Sequence, residues 1–156
     1  MSNLKNILSS FKLRNTLNLK IWELSDKDKD SNNTPNNYKI YPEVRERLLE
    51  IAYRFIDSFD IDVVIDDIII TGSLVNFNWS KFSDVDLHVL INFKQFPEKH
   101  RSLYVELLDL KKVLFNLKYN IKVKGFDVEL YAQDKSVTSF SSGVYSVLFD
   151  KWESFP

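Results

Sequence analysis

Two short apolar runs most constrain how this chain can fold. The segment between them begins with a turn of small residues and ends with two aspartates. The first run, Ile68–Ile70, leads into Gly72-Ser73, and the second, Leu87–Ile91, follows two aspartates, Asp84 and Asp86. Because short branched apolar runs bounded by turn residues are typical of buried strands, we predict two strands here. Residues i and i+2 of a strand point to one face, so the two aspartates are expected side by side.

Two carboxylates on one face repel each other unless a cation lies between them. An isolated Asp-x-Asp is typical of a solvated turn, but the Gly-Ser turn and the flanking apolar runs favour a functional site here. A Gly-Ser turn that opens a helix after a strand presents backbone N–H groups and a hydroxyl to phosphate oxygens. Gly72 permits a close backbone approach, so we predict phosphate binding at Gly72 and Ser73.

The composition is that of one globular domain. The chain has 156 residues, of which 44% are hydrophobic and 28% charged, and its net charge of −1 supplies no overall basic field for nucleic acid. It has no cysteine, which excludes disulfides, zinc–thiolate sites and cysteine nucleophiles and fits a cytoplasmic location. No apolar run approaches the ~20 residues of a membrane span, so no membrane partner is expected.

Residues 1–41 are predicted to form an N-terminal arm. It would contain a short amphipathic helix at 3–11, an extended segment at 17–24 that docks on the domain, and a mobile polar loop at 25–37. Residues 42–156 are predicted to form the main domain.

Apolar periodicity predicts the elements of the main domain. A helix begins at Pro42, and its inward stripe comprises Val44, Leu48, Ile51, Ala52, Phe55 and Phe59. A second helix begins near Pro97, with an inward face of Leu103, Tyr104, Leu107, Leu108, Leu110, Val113 and Leu114. Strands are expected at 67–71, 84–91, 121–123, 126–131 and 144–149, with a short helix at 73–80. The order indicates an α/β (α+β) domain with a small mixed β-sheet packed by helices.

A second acidic strand supplies candidates for a third carboxylate. Two-metal phosphoryl chemistry uses oxygen ligands that hold two cations close together, and Asp127 and Glu129 lie on one face of the predicted strand 126–131. Either residue could reach the Asp84/Asp86 pair, and both could also be ordinary exposed acids. Since all of these ligands are hard oxygens, Mg²⁺ or Mn²⁺ is favoured over zinc.

Three segments together carry a family resemblance: Ile70–Leu74, Ser83–His88 and Val128–Tyr131. They resemble the nucleotidyltransferase superfamily that includes DNA polymerase beta, and they are similar to small predicted nucleotidyltransferases of large tailed phages and some bacteria. The resemblance covers about residues 42–132. It implies a polymerase beta-like palm that moves an NMP from an NTP to an acceptor hydroxyl and releases pyrophosphate.

The resemblance also implies roles for particular residues. Asp84, Asp86 and Glu129 would be catalytic and would ligate Mg²⁺ (or Mn²⁺), while Gly72 and Ser73 would hold the terminal phosphates of the NTP. Glu129 is preferred to Asp127 because the hydrophobic-Glu-hydrophobic pattern matches the phage and bacterial proteins. The acceptor stays open between a protein, an RNA and a small molecule.

Two features depart from the family pattern. Many members have another glycine shortly after Gly-Ser, but Leu74–Asn78 contains none, and Ala132–Pro156 is too short for the helical domain that usually binds base or acceptor. The chain is therefore expected to be a minimal form or a fragment of a longer protein. The alternative hypothesis is a non-catalytic nucleotide-binding or antitoxin-like module that acts through a protein partner.

Overall fold

A computed structural model describes residues 13–25, 34–137 and 141–156. In chain order the elements are β1 (Trp22–Leu24), β2 (Tyr38–Ile40), α1 (Pro42–Asp57), β3 (Ile65–Thr71), β4 (Val85–Ile91), α2 (Arg101–Lys118), β5 (Lys122–Val123), β6 (Phe126–Asp134), β7 (Val144–Ser146) and β8 (Lys151–Ser154). The predicted helix at 3–11 and most of the predicted loop at 25–37 lie outside the described residues.

The larger sheet has six strands in the order β5-β6-β4-β3-β7-β8. β4 and β6 are parallel, and the other neighbours in this sheet are antiparallel. β1 and β2 form a separate antiparallel pair. The expected mixed sheet packed by two helices is therefore confirmed.

Side chains of the central strand β4 alternate between a buried apolar face of the sheet and a less buried face that carries Asp86 and His88. Val85, Leu87, Val89 and Ile91 alternate as buried residues and join one hydrophobic cluster with both helices. In that cluster the rings of Phe55 in α1 and Phe115 in α2 lie 5.2 Å apart. The alternate residues of β4, among them the predicted site residue Asp86, therefore face away from the helices.

The segment before α1 packs directly behind the Gly-Ser turn. Leu17, Ile21 and Trp22 are buried in the main cluster, and the Trp22 indole Nε1 donates to the Leu74 carbonyl at 2.8 Å. Trp22 also stacks on Trp152 of β8 at 4.6 Å between ring centroids. Residues far away in sequence thus pack against and bond the backbone that follows Gly72-Ser73.

The predicted inward face of the second helix is only partly right. Leu108 is buried and Tyr104 packs against the core as predicted, but Leu103, Leu110, Val113 and Leu114 are 46–62% exposed, and the buried Phe115 was not predicted. α2 carries apolar residues on two opposite sides, and periodicity alone does not indicate which side meets the sheet.

Two further predicted elements are shorter in the structure. The helix expected at 73–80 is a single 3₁₀ turn, Ser73–Val75. The strand expected at 144–149 ends at Ser146, and the chain then turns through Asp150, which has a φ of 56°, into the unpredicted strand β8. Within the described ranges, no helix combines the length and apolarity needed to cross a membrane.

α2 also covers part of the β6 edge that β5 leaves unpaired. β5 pairs with only the first two residues of β6. Further along, the Asn116 amide donates to the Leu130 carbonyl at 2.9 Å and accepts from the Leu130 N–H at 3.0 Å. A helix side chain therefore replaces a neighbouring strand next to Glu129.

We predict that Asn116→Ala destabilises the fold by about 2 kcal/mol, because two backbone groups of the buried Leu130 lose their partners. Urea unfolding measures the change. Asn120→Ala is the matched control, since Asn120 is exposed beyond the end of α2 and should shift the free energy of unfolding by less than about 0.5 kcal/mol. Equal effects of the two substitutions would contradict this role of Asn116.

Candidate functional site

Strand register brings the candidate carboxylates to one place. Asp86 of β4 lies opposite Thr71 of β3 on one side and opposite Glu129 of β6 on the other. Asp84 is exposed and lies just before the start of β4. Asp86 therefore lies between Glu129 of β6 and the end of β3, where the Gly-Ser turn begins.

Gly72 makes room for the Asp86 carboxylate. Its backbone has φ 82° and ψ −166°, a region that only glycine adopts without strain. A Cβ at this position would overlap Asp86 Oδ2. Gly72 is thus required both by the backbone path and by the carboxylate beside it.

The surroundings of Asp86 favour its protonated form. Burial, with the negative charges of Glu129 and Asp84 added, raises the pKa of Asp86 to about 6. Burial and a hydrogen bond to Glu129 also raise the pKa of the Tyr131 hydroxyl, which therefore stays protonated and donates to that carboxylate. A positive charge placed among these acids would relieve the repulsion.

Asp127 and Glu129 share a face of β6, but their surroundings differ. Asp127 forms an ion pair with Lys122 on the neighbouring strand β5, whereas Glu129 lies opposite Asp86. In this arrangement Glu129 is the acid of β6 next to the aspartate of β4.

The Gly-Ser turn presents a pair of hydroxyls. Ser73 Oγ donates to Ser83 Oγ at 2.6 Å, and the Ser83 hydroxyl also accepts from the Ser80 N–H at 2.9 Å. Because only one 3₁₀ turn follows Gly72, a longer helix does not contribute here. Phosphate binding at this turn would depend on the hydroxyls and the local backbone.

A loop from the other side of β3 braces the turn. The Asn76 amide donates to the Gly72 carbonyl at 2.6 Å and to Ser141 Oγ at 3.0 Å, and its oxygen accepts from the Gly143 N–H at 2.9 Å. A Cβ at Gly143 would overlap the Val75 carbonyl oxygen, so glycine is needed for this approach. The turn is thus fixed through side-chain contacts between distant segments.

His88 links three strands beneath the turn. Its ring contacts Thr71 Oγ1 at 3.1 Å through Nε2 and Gln133 Oε1 at 2.8 Å through Nδ1, and it stacks on Tyr131 at 4.6 Å between centroids. Burial lowers the pKa of His88, so the ring is held neutral. Nδ1–H then donates to Gln133 and Nε2 accepts from Thr71.

Sequence reasoning did not single out Thr71, Tyr131 or Gln133. Tyr131 and Gln133 follow Glu129 at i+2 and i+4, a spacing that places them on the same face of β6. Thr71 is the last residue before Gly72. Only the strand register shows that these residues meet at His88.

An open cavity of about 730 Å³ adjoins the turn. Both polar and apolar residues line it: Leu13, Thr71, Gly72, Ser73, Asn76, Phe77, Asn78, His88, Gln133, Val137, Ser141, Ser142 and Pro156. The volume lies in the range of small-molecule sites, so a ligand with phosphates at Ser73 has space beside the turn for the rest of its structure.

The acids offer the hard oxygen donors that Mg²⁺ and Mn²⁺ prefer, and a cation would offset the negative charges of Glu129 and Asp84 beside Asp86. Among residues 13–25, 34–137 and 141–156, however, no three His, Asp or Glu side chains are already arranged as a group that could hold a metal ion. Binding would therefore require the exposed side chains of Asp84 and Glu129 to turn towards Asp86.

In comparisons with known proteins, no family model, no curated protein and no solved structure matches this chain.

We predict that Gly72→Ala destabilises the protein by about 3 kcal/mol or more, because it adds steric overlap with Asp86 to backbone strain. Gly125→Ala is the control, since Gly125 has φ 88° but a Cβ there meets nothing within 4 Å; its expected cost is about 1–2 kcal/mol. Chemical denaturation measures both.

A double-mutant cycle isolates the overlap. In an Asp86→Ala background, Gly72→Ala should cost less than it does in the natural sequence, because the carboxylate oxygen is gone. An unchanged cost would show that Asp86 does not set the requirement for glycine.

We also predict that Asp86 destabilises the fold as pH rises. Its folded pKa of about 6 lies above the ordinary 3.8, so the folded state binds the proton more tightly than the unfolded state. The free energy of unfolding from this group therefore falls as pH rises from about 4 to about 6. Asp86→Asn should remove that slope and stabilise the protein at pH 7 by about 1 kcal/mol after solvent screening.

Unfolding curves from pH 4 to pH 7, compared between the natural protein and Asp86→Asn, measure the difference. Asp127→Asn is the control acid on the same face of the sheet. A difference that does not change with pH would contradict the raised pKa of Asp86.

Proposed function

We propose that this chain is a metal-dependent nucleotidyltransferase of the DNA polymerase beta-like superfamily. It would transfer an NMP from an NTP to an acceptor hydroxyl and release pyrophosphate. The observation that carries the proposal is the register of β4 and β6, which sets Asp86 opposite Glu129 beside the Gly72-Ser73 turn.

The residues of the site divide the work. Asp84, Asp86 and Glu129 would supply the oxygen ligands for Mg²⁺ or Mn²⁺, and the side chains of Asp84 and Glu129 would have to turn towards Asp86 to do so. The chemistry that bound divalent cations supply is neutralisation of charge on the transferred phosphoryl group and activation of the acceptor hydroxyl. In this structure the Tyr131 hydroxyl donates to Glu129.

The Gly-Ser turn would bind the terminal phosphates. Ser73 Oγ, which donates to Ser83 in this structure, can instead donate to a phosphate oxygen, while Gly72 lets the phosphates approach the backbone. Asn76 holds the Gly72 carbonyl in place. Base and ribose would occupy the adjoining cavity, whose volume of about 730 Å³ suits a small molecule.

A second candidate is a non-catalytic nucleotide-binding module that acts through a protein partner. One observation favours it: among the residues that the structure describes, no preformed group of three metal-binding side chains is present. In that case NTP binding would persist without transfer, and it would not depend on all three acids.

We predict that Mg²⁺ and an NTP together raise the melting temperature of the protein, because a ligand that binds only the folded state stabilises it. Differential scanning fluorimetry with each of the four NTPs, with and without Mg²⁺, measures this. Asp84→Asn combined with Asp86→Asn should abolish the Mg²⁺-dependent part. If the shift is absent from the natural protein, both candidates fail.

Transfer itself separates the two candidates. With α-phosphate-labelled NTP and candidate acceptor pools, we expect Mg²⁺-dependent label transfer that falls by about 10³-fold in Asp86→Asn. Glu129→Gln should reduce transfer comparably, whereas Asp127→Asn, which removes an acid already paired with Lys122, should leave it nearly unchanged. Nucleotide binding without any transfer would favour the non-catalytic module.

A further inference from the structure

Helix α2 has an apolar surface that the described residues of its own chain leave exposed. Leu108 and Phe115 face the core, but Leu103, Leu110, Leu114 and Leu117 are 58–79% exposed. At 100° per residue these four leucines lie on the side of the helix opposite to the two core residues. Since a surface helix normally has one apolar stripe, the second stripe requires its own explanation.

Together with the half-buried Leu107, the exposed leucines have the spacing of a coiled-coil seam. Leu103, Leu107, Leu110, Leu114 and Leu117 follow one another in alternating steps of four and three residues. This is the d-a-d-a-d order of a heptad repeat, in which two helices pack through interlocking side chains. In this register Glu106 is a g position and Lys111 is an e position.

The flanking charges favour a parallel pairing of two identical helices. In a parallel pair, a g residue meets the e residue five positions later in the partner, so Glu106 of each copy meets Lys111 of the other. Among residues 13–25, 34–137 and 141–156, Glu106 has no ion-pair partner within its own chain. An antiparallel pair would instead bring the e positions, Lys111 and Lys118, to the same side of the seam.

Lys111 can bind one carboxylate in its own chain and another in the partner copy. Its ammonium donates to Asp60 of its own chain at 2.6 Å, and its side chain keeps 22% of its surface exposed. An ammonium group has three donors, so a second carboxylate at the seam would complete its set of partners.

We propose that two copies of this chain associate through the outward stripe of α2, packed in parallel about a two-fold axis along the helices. The core-facing residues Leu108 and Phe115 lie on the far side of each helix, so each domain body lies outside the seam. The candidate site is formed by β3, β4 and β6, and the proposal does not depend on nucleotidyl transfer.

Sedimentation velocity on the full chain tests the association. We expect a species of twice the 18.4 kDa of one chain at about 100 µM, and Leu110→Lys should weaken the dimer at least about 100-fold. Val64→Lys is the control, because Val64 is 72% exposed and lies outside α2; it should leave the dimer unchanged. Circular dichroism verifies that both variants are folded.

Cysteine cross-linking tests the register, which is convenient because the chain has no cysteine of its own. In a parallel pair, Leu103→Cys alone and Leu117→Cys alone should each form disulfide-linked dimers under mild oxidation, since equivalent positions face each other. An antiparallel pair would cross-link only a mixture of the two variants. Glu106→Lys should weaken the dimer, because it would place an ammonium group opposite Lys111 of the other copy.

A natural protein that is monomeric at about 100 µM would overturn the proposal and assign the stripe to a different partner. A dimer that survives Leu110→Lys, or that cross-links only in the mixture, would overturn it as well.

Discussion

The pairing of β4 with β3 on one side and with β6 on the other organises this protein. It buries the alternate apolar residues of β4 against the helices and leaves Asp86 on the opposite face, between Thr71 and Glu129. Parallel strands cannot be joined by a tight turn, so the link from β4 to β6 must be long, and α2 forms most of it. The same helix supplies Asn116 to the edge of β6. Fold and candidate site therefore depend on one arrangement of three strands.

Burying Asp86 beside other acids costs folding free energy, and the rest of the structure must compensate for it. Burial and neighbouring acids raise the pKa of Asp86, and such a group gains nothing in stability from being charged. Neutral donors lie around it: the Tyr131 hydroxyl donates to Glu129, and a neutral His88 joins Thr71 to Gln133. Retaining clustered acids at such a cost is what a cation-binding function would explain.

The sequence pattern alone predicted the buried side correctly where a helix has a single apolar stripe or a strand has a single alternating face. The stripe of α1, from Val44 to Phe55, is buried as predicted, and the alternation in β4 places Asp86 on the polar face. Sequence left Asp127 and Glu129 as alternatives because i and i+2 share a face. The register separates their surroundings, since Asp127 pairs with Lys122 and Glu129 lies opposite Asp86.

Pattern failed where a distant contact decides the outcome. α2 has two apolar sides, and only packing determines which one meets the sheet. The helix expected at 73–80 stops after one turn, where the Asn76 side chain bonds the Gly72 carbonyl and the loop at Gly143 instead. β8 is an edge strand with mostly exposed residues, so its sequence has little of the alternation that identifies a half-buried strand.

Titration of the Asp86 carboxyl by carbon NMR, with and without Mg²⁺, tests most directly whether a cation binds at Asp86 and Glu129. We expect a pKa of about 6 in the absence of the cation and a clearly lower pKa in its presence, because Mg²⁺ binds the ionised form. In Glu129→Gln, the pKa without Mg²⁺ should fall and the response to Mg²⁺ should weaken. A pKa that is ordinary without Mg²⁺, or that does not respond to it, would contradict a cation site at Asp86 and Glu129.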